Sequence, residues 1–129
     1  MTDVTPKYRI LIVDDEAFVG ELLSEYLSGN GYAVMTAENG EDAIAAYSRF
    51  KPDAVILDIR MPGMSGIDVL KRMKELDNKP AIIMSSAYGD SETINETMAQ
   101  GADYYLQKPM TLSTLLEMLE RILESAKRT

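Results

Sequence analysis

Asp14, Asp15, Asp58, Ser86 and Lys108 are the residues of this 129-residue chain whose types and placement could do chemistry. Asp14 and Asp15 follow the apolar run Ile10-Leu-Ile-Val13, and Asp58 follows Ala54-Val-Ile-Leu57. Two further strand-like runs end on complementary groups: Ala81-Ile-Ile-Met-Ser-Ser86 on a hydroxyl, and Tyr104-Tyr-Leu-Gln107 on Lys108-Pro109. Carboxylates offer oxygen ligands for a hard divalent cation and a nucleophile for phosphorus. A hydroxyl and an ammonium can neutralise the oxygens of a phosphoryl group. Two unit charges ~4 Å apart repel by about 4 kcal/mol at an effective protein dielectric. Three crowded carboxylates therefore call for a cation, and a small oxygen cage with room for waters and a phosphoryl oxygen suits Mg²⁺. A divalent ion and Lys108 together cancel the three negative charges. Taken singly these signals are ordinary: acids open many helices because they favour the helix dipole, and Lys-Pro is common. Their joint placement at strand ends carries the reading.

Such residues meet only if the runs are parallel strands, because ligands of open α/β sheets bind at the carboxyl ends of the strands. Apolar runs of strand length alternate with amphipathic stretches, the pattern of βα units and a parallel sheet. The first, third and fourth runs are almost continuously apolar and rich in Ile and Val, as expected of strands covered on both faces. Ala33–Ala37 is a weaker second strand. The first helix is expected over Ala17–Ser28, with Leu22, Leu23, Tyr26 and Leu27 on its core side and Gly29-Asn30-Gly31 ending it. Asn39-Gly40 opens the second helix, carried by Ala43, Ile44, Ala46 and Tyr47. Ser65-Gly66 opens the third, with Ile67, Val69, Leu70 and Met73. Asp90 or Ser91 caps the fourth, which ends near Gly101, and Thr111 caps the fifth, with the stripe Leu112, Leu115, Leu116, Leu119, Ile122 and Leu123. One domain over residues 8–125 is expected, with a lead-in at 1–7 and a tail at 126–129.

Composition narrows the chemistry further. Apolar residues make up 46% and charged residues 26%, ordinary for a globular protein. There is no cysteine and no histidine, so disulfides, thiolate metal sites and imidazole acid–base chemistry are excluded. The net charge of −8 and the lack of a Lys/Arg run argue against direct nucleic-acid binding. No apolar run approaches the ~20 residues of a membrane helix, and no export signal is expected, so the reading is a cytoplasmic protein without a membrane partner.

The segments Ile10-Leu-Ile-Val-Asp14-Asp15-Glu16, Asp58-Ile-Arg-Met-Pro62-Gly-Met-Ser-Gly66, Ser86-Ala87 and Lys108-Pro109 resemble the receiver domain of two-component response regulators, and the resemblance spans roughly Tyr8 to Ser125. It implies a flavodoxin-like, doubly wound (βα)5 fold with a five-stranded parallel sheet in the order 2-1-3-4-5. It implies that Asp58 accepts a phosphoryl group from a histidine kinase or phosphotransfer protein, with Asp14, Asp15, Asp58 and the backbone carbonyl of Arg60 holding Mg²⁺. Ser86 and Lys108 would contact the phosphoryl group, the Lys108–Pro109 bond would be cis, and Ser86 with Tyr105 would form the switch. The output face toward a downstream protein target or output domain would be helix four, strand five and helix five, and a homodimer of the phosphorylated form is a further expectation. Such a domain is not an enzyme in its own right, although it promotes its own phosphorylation and dephosphorylation.

Arg60 and Tyr88 stand two residues beyond Asp58 and Ser86, where they could restrict water and lengthen the life of the phosphoryl group; solvated loop side chains would look the same. Tyr104, Met98 and Met110 are read mainly as packing residues. Rival readings are a phosphatase working through an aspartyl phosphate, a flavin- or nucleotide-binding domain of the same fold, and a receiver-like docking module independent of phosphate. The first would place its nucleophile on strand one with a second acid two residues later. The second would want a phosphate loop where Asp14 and Asp15 would repel it.

Overall fold

The computed structural model describes residues 8–76, 80–87 and 91–127. Five strands and five helices alternate: β1 (Arg9–Val13), α1 (Ala17–Gly29), β2 (Ala33–Ala37), α2 (Gly40–Phe50), β3 (Ala54–Asp58), α3 (Gly66–Leu76), β4 (Ala81–Ser86), α4 (Ser91–Ala99), β5 (Tyr104–Gln107) and α5 (Leu112–Lys127). All strand pairs are parallel and the sheet order is β2-β1-β3-β4-β5. The chain therefore starts near the middle of the sheet, winds out to β2, returns beside β1 as β3 and continues to β5.

The middle of each strand is apolar because both faces are covered, and the polar residues Arg9, Thr36, Asp58, Ser85, Ser86 and Gln107 fall in the first or last two positions of their strands. Leu11, Val13, Val55, Leu57, Ile82 and Met84 join Ala43, Ala46 and Tyr47 of α2 and Val69, Leu70 and Met73 of α3 in one core. The alternate residues Ile10, Ile12, Ala54, Ile56, Ile83 and Leu106 join Leu27 of α1 and Leu115, Leu119, Ile122 and Leu123 of α5 in the other. Period-two alternation along each strand feeds two layers at once. Each fully buried aliphatic side chain contributes about 1.5–3 kcal/mol, so the strand ends at the rim are held by a scaffold far more stable than the rim itself.

Local capping follows residue chemistry. Asn39 accepts the Asp42 N–H at 2.8 Å through its side chain, Ser65 Oγ accepts the Asp68 N–H at 3.3 Å, and Thr111 Oγ1 accepts the Thr114 N–H at 3.2 Å. The α1 exit places the left-handed residue at Gly31, φ 95°, while Asn30 stays at φ −105°. Asp90 and the Ser91 side chain lie outside the described residues.

One expected core residue is not in the core. Leu22 is 44% exposed, whereas Gly20 and Leu27 are the buried residues of α1 and Leu23 and Tyr26 are partly buried. The helix comes close to β2 at Gly20, where an added Cβ would lie 3.6 Å from Thr36 Cγ2. That approach sets the rotation of α1, and two residues further on, at about 100° per residue, Leu22 points away from the sheet.

Candidate phosphoacceptor and metal site

Asp14 directly follows β1 and extends its ladder, donating its N–H to Ala37 O at 3.1 Å. Its carboxylate is only 5% exposed. Oδ1 accepts the Glu16 N–H at 2.9 Å, and Oδ2 accepts the Lys108 ammonium at 3.0 Å. Asp58 is the last residue of β3, 8% exposed, and its Oδ1 accepts the Arg60 N–H at 3.3 Å. Asp15 is the most open of the three. One carboxylate oxygen from each of Asp14, Asp15 and Asp58 can be chosen so that all lie within 4.8 Å of one another. This is an all-oxygen donor set of the kind that selects a hard divalent cation such as Mg²⁺, and it has the solvent access such an ion needs to keep its waters.

Lys108 reaches this cluster from the neighbouring strand end. Its N–H donates to Ser86 O at 2.9 Å, which prolongs the β4–β5 ladder past Gln107, and the Lys108–Pro109 bond is cis. The ammonium lies 3.0 Å from Asp14 Oδ2 and 3.8 Å from Asp58 Oδ2. One ammonium against three carboxylates leaves the site with excess negative charge. Asp58 shows the consequence. Its carboxyl is raised to about 6 on balance: burial pushes it up, Lys108 pulls it down, Asp14 pushes it up, the Arg60 N–H pulls it down and Asp15 pushes it up again. Burial works against the Lys108 charge, but the hydrogen bond it donates to Asp14 and the charges of Asp58, Asp14 and Glu16 outweigh it and raise its pKa. The ammonium is therefore firmly charged, and the carboxylate beside it is poorly compensated.

Ser86 is the last residue of β4 and 1% exposed. Alternation places it on the face of Ile82 and Met84, which belong to the α2/α3 core. Tyr105 is partly buried against that same core and is registered with Met84, two positions from the Ser86–Gln107 pair. Ser86 and Tyr105 thus share one face of the sheet edge. Asp14, Asp58 and Lys108 continue the alternation of Ile12, Ile56 and Leu106, which pack on the other. Arg60 is exposed at the mouth, and Tyr88 lies outside the described residues. Tyr104 and Met98 are exposed, whereas Met110 packs against the α1/α5 core.

Two residues matter here that sequence reasoning left without a role at the site. Ser85 is registered directly opposite Asp58, its carbonyl accepts the Ile59 N–H at 3.0 Å, and it is 8% exposed. With Glu16, Lys108 and Pro109 it lines a cavity of about 290 Å³ between α1 and α5. Strand parity distinguishes it from Ser86, and parity was available only once the register was known. Gly66 packs on the main chain of Asp58 and Ile59 so closely that a Cβ would collide with it. No local sequence pattern announces that need.

The profile of the response regulator receiver domain family matches residues 10–120. The chain belongs to that family. The receiver is 39% identical over 117 residues to chemotaxis protein CheY of Bacillus subtilis (strain 168), covering 90% of this chain and 98% of that one. Among solved structures it is similar to a CheY-like receiver domain protein from Methanospirillum hungatei JF-1, with a TM-score of 0.90 and 28% identity over 94% of this chain and 97% of that one. It is also similar to a chain of the CheX–CheY–BeF3–Mg complex from Borrelia burgdorferi, at a TM-score of 0.84 and 31% identity, covering 91% and 90%. The family, the doubly wound fold and the strand order agree with what the motifs implied. Receivers of this kind are signalling modules of two-component systems. Among the described residues no helix is long and apolar enough to cross a membrane.

Proposed function

We propose that this receiver is switched by phosphorylation of Asp58, with Mg²⁺ held by Asp14, Asp15, Asp58 and the backbone carbonyl of Arg60. One observation carries the reading: a buried carboxylate at the end of β3 has two more carboxylates within 4.8 Å and an ammonium 3.8 Å away. When bound, the cation supplies charge neutralisation to the carboxylates and to the incoming phosphoryl oxygens.

The chain's own groups do the rest. Asp58, ionised at neutral pH, presents an Oδ lone pair to phosphorus. As the new O–P bond forms, the donor's P–N bond breaks, and the electron pair leaves on an imidazole nitrogen of a phosphohistidine. Lys108 stands where it can exchange its contact with Asp58 for one with the phosphoryl group, keeping its hold on Asp14. The Ser86 hydroxyl donates to another phosphoryl oxygen. Its movement toward the site frees space on the face it shares with Tyr105, and the aromatic ring follows inward. That coupling carries the modification to α4, β5 and α5, the proposed surface for a downstream protein or a second phosphorylated copy. A histidine kinase or phosphotransfer protein is the proposed donor, which places the reaction in the cytoplasm. The Borrelia neighbour was solved with CheX, a beryllofluoride and magnesium, in keeping with a domain of this shape accepting all three kinds of partner.

The test is incubation with Mg²⁺ and a small-molecule phosphodonor, read by intact mass. Wild type should gain one phosphoryl group and Asp58→Asn none. Labelling that persists in Asp58→Asn, or that ignores removal of Mg²⁺, would overturn the reading. Arg60, exposed at the mouth, is proposed with Tyr88 to slow hydrolysis by restricting water. Replacing both with small polar residues should shorten the life of the phosphoryl group.

A further inference from the structure

Gly66 is the first residue of α3, and backbone conformation is not what asks for glycine there: the positive-φ glycines among the described residues are Gly31, Gly63 and Gly101. The demand is for space. A Cβ at position 66 would stand 2.7 Å from Ile59 Cα and 2.8 Å from the carbonyl carbon of Asp58, and closer still to the Asp58 carbonyl oxygen. All three are backbone atoms in or beside the peptide that follows the phosphoacceptor, so no side chain can turn aside to make room. The Gly66 N–H donates to Ile59 O at 2.8 Å, while the Ile59 N–H donates to Ser85 O at 3.0 Å. The Asp58–Ile59 segment is thus held by β4 on one side and by the start of α3 on the other. Further along the loop, Met64 lies over Gly40 at the start of α2, where a Cβ would stand 2.7 Å from its Sδ and 2.8 Å from its Cβ. Residues 59–65 are clamped between two glycines, and inside the clamp the Arg60 N–H reaches Asp58 Oδ1.

We propose that Gly66 is a positioning residue for the cation, setting through main-chain contact where the Asp58 carboxylate and the Arg60 carbonyl stand. The inference rests on the assignment of Asp14, Asp15, Asp58 and the Arg60 carbonyl as the Mg²⁺ site. Mg²⁺ demands near-octahedral oxygens at about 2.0–2.1 Å, whereas Ca²⁺ accepts flexible geometry at about 2.3–2.6 Å. A backbone shift of a few tenths of an ångström therefore falls harder on Mg²⁺ than on Ca²⁺. A purely structural role for Gly66 would change the folded fraction and leave that selectivity alone.

The experiment follows the amide resonances of residues 58–60 by NMR while the full chain is titrated with Mg²⁺ and separately with Ca²⁺. Wild type, Gly66→Ala, Gly40→Ala and the control Gly29→Ala are compared, the control because a Cβ there meets nothing within 4 Å. Gly66→Ala should weaken Mg²⁺ binding by about 10–100-fold, the range seen when groups that orient metal ligands are lost, and Ca²⁺ binding by clearly less. Gly40→Ala should shift both ions the same way but more weakly, since it meets Met64 rather than the main chain of Asp58 and Ile59; Gly29→Ala should match wild type. A folded Gly66→Ala with wild-type affinity and selectivity overturns the proposal. If Gly66→Ala does not fold, Gly40→Ala decides: reduced Mg²⁺ preference supports the clamp, and unchanged preference overturns it. A wild type that binds no Mg²⁺ at residues 14, 15 and 58 would instead overturn the underlying site.

Discussion

The two ends of the sheet use the same side chain in opposite ways. At the amino-terminal end, Asp53 Oδ2 accepts the Arg9 N–H at 2.8 Å, and Asp103 Oδ2 accepts the Ile82 N–H at 2.8 Å. The main chain of each reinforces the contact: the Asp53 N–H donates to Arg9 O at 2.7 Å and the Asp103 N–H to Ile82 O at 2.9 Å. Asp103 also has Lys74 at 3.7 Å. These carboxylates finish the strand ladders and open to solvent. At the carboxyl-terminal end, Asp14 and Asp58 are buried beside Asp15 with a single ammonium between them, and Asp58 is pushed up to about 6. One end has settled its charge with backbone donors; the other leaves a deficit that a cation or a proton must fill. Stored cost of this kind is what functional sites carry and structural ones avoid.

Removing the ammonium that pairs with Asp14 and Asp58 should have the largest effect. Lys108→Ala should slow phosphoryl labelling by about 100-fold or more, the scale of losing one donor aimed at developing charge. Asp103→Ala should leave labelling at the wild-type rate. Equal losses in both variants would dissolve the contrast between the two ends.

Stability should respond with opposite signs. Without metal at pH 7, Asp58→Asn should stabilise the fold by about 1–2 kcal/mol, after allowing for solvent screening at an open rim. Asp53→Ala should destabilise it by about 1 kcal/mol through the lost hydrogen bond. The Asp58 effect carries its own pH signature. Its carboxyl binds a proton more tightly in the folded chain, about 6 against the ordinary 3.8, so its contribution is fully present below 3.8 and is lost as pH rises through about 6. Urea denaturation of wild type and Asp58→Asn should therefore nearly coincide near pH 4 and separate by pH 7. Saturating Mg²⁺ should raise wild type selectively, by about 2.7 kcal/mol at a hundredfold excess over Kd. A gap that does not change with pH would mean that charge is not the cause.

The smallest expected effect belongs to Lys74. Lys74→Met, which keeps the stem and removes the charge facing Asp103, should cost about 0.2–1 kcal/mol in thermal unfolding. A larger loss would show that the amino-terminal end depends on charge pairing more than its backbone hydrogen bonds suggest.

Strand identity was readable because strands covered on both faces are apolar through their length, and Ile10–Val13, Ala54–Leu57 and Ala81–Met84 are unbroken apolar runs. The chemical set at the carboxyl ends was readable for the same reason: a polar group ending such a run has nowhere to go but the rim. The rotation of α1 was not, because it depends on how closely Gly20 approaches Thr36, and Leu22 was misplaced with it. Asp53 and Asp103 precede their strands and so stand apart from the site acids, but their backbone partners could not be read, since these lie 44 and 21 residues away along the chain.

The order of residue types along this chain is thus enough to determine an alternating parallel α/β domain and to single out Asp14, Asp15, Asp58, Ser86 and Lys108 at strand ends, because periodicity and strand-end chemistry are local properties; the receiver character came from the resemblance of its motifs to that family. Distances were decided only in the folded molecule. The 3.0 Å hold of Lys108 on Asp14, the separation of Ser86 and Asp58 onto opposite faces, and the glycine clamp on residues 59–65 all arise from strand register and helix docking. These depend on packing between segments far apart in sequence, and no local pattern encodes them.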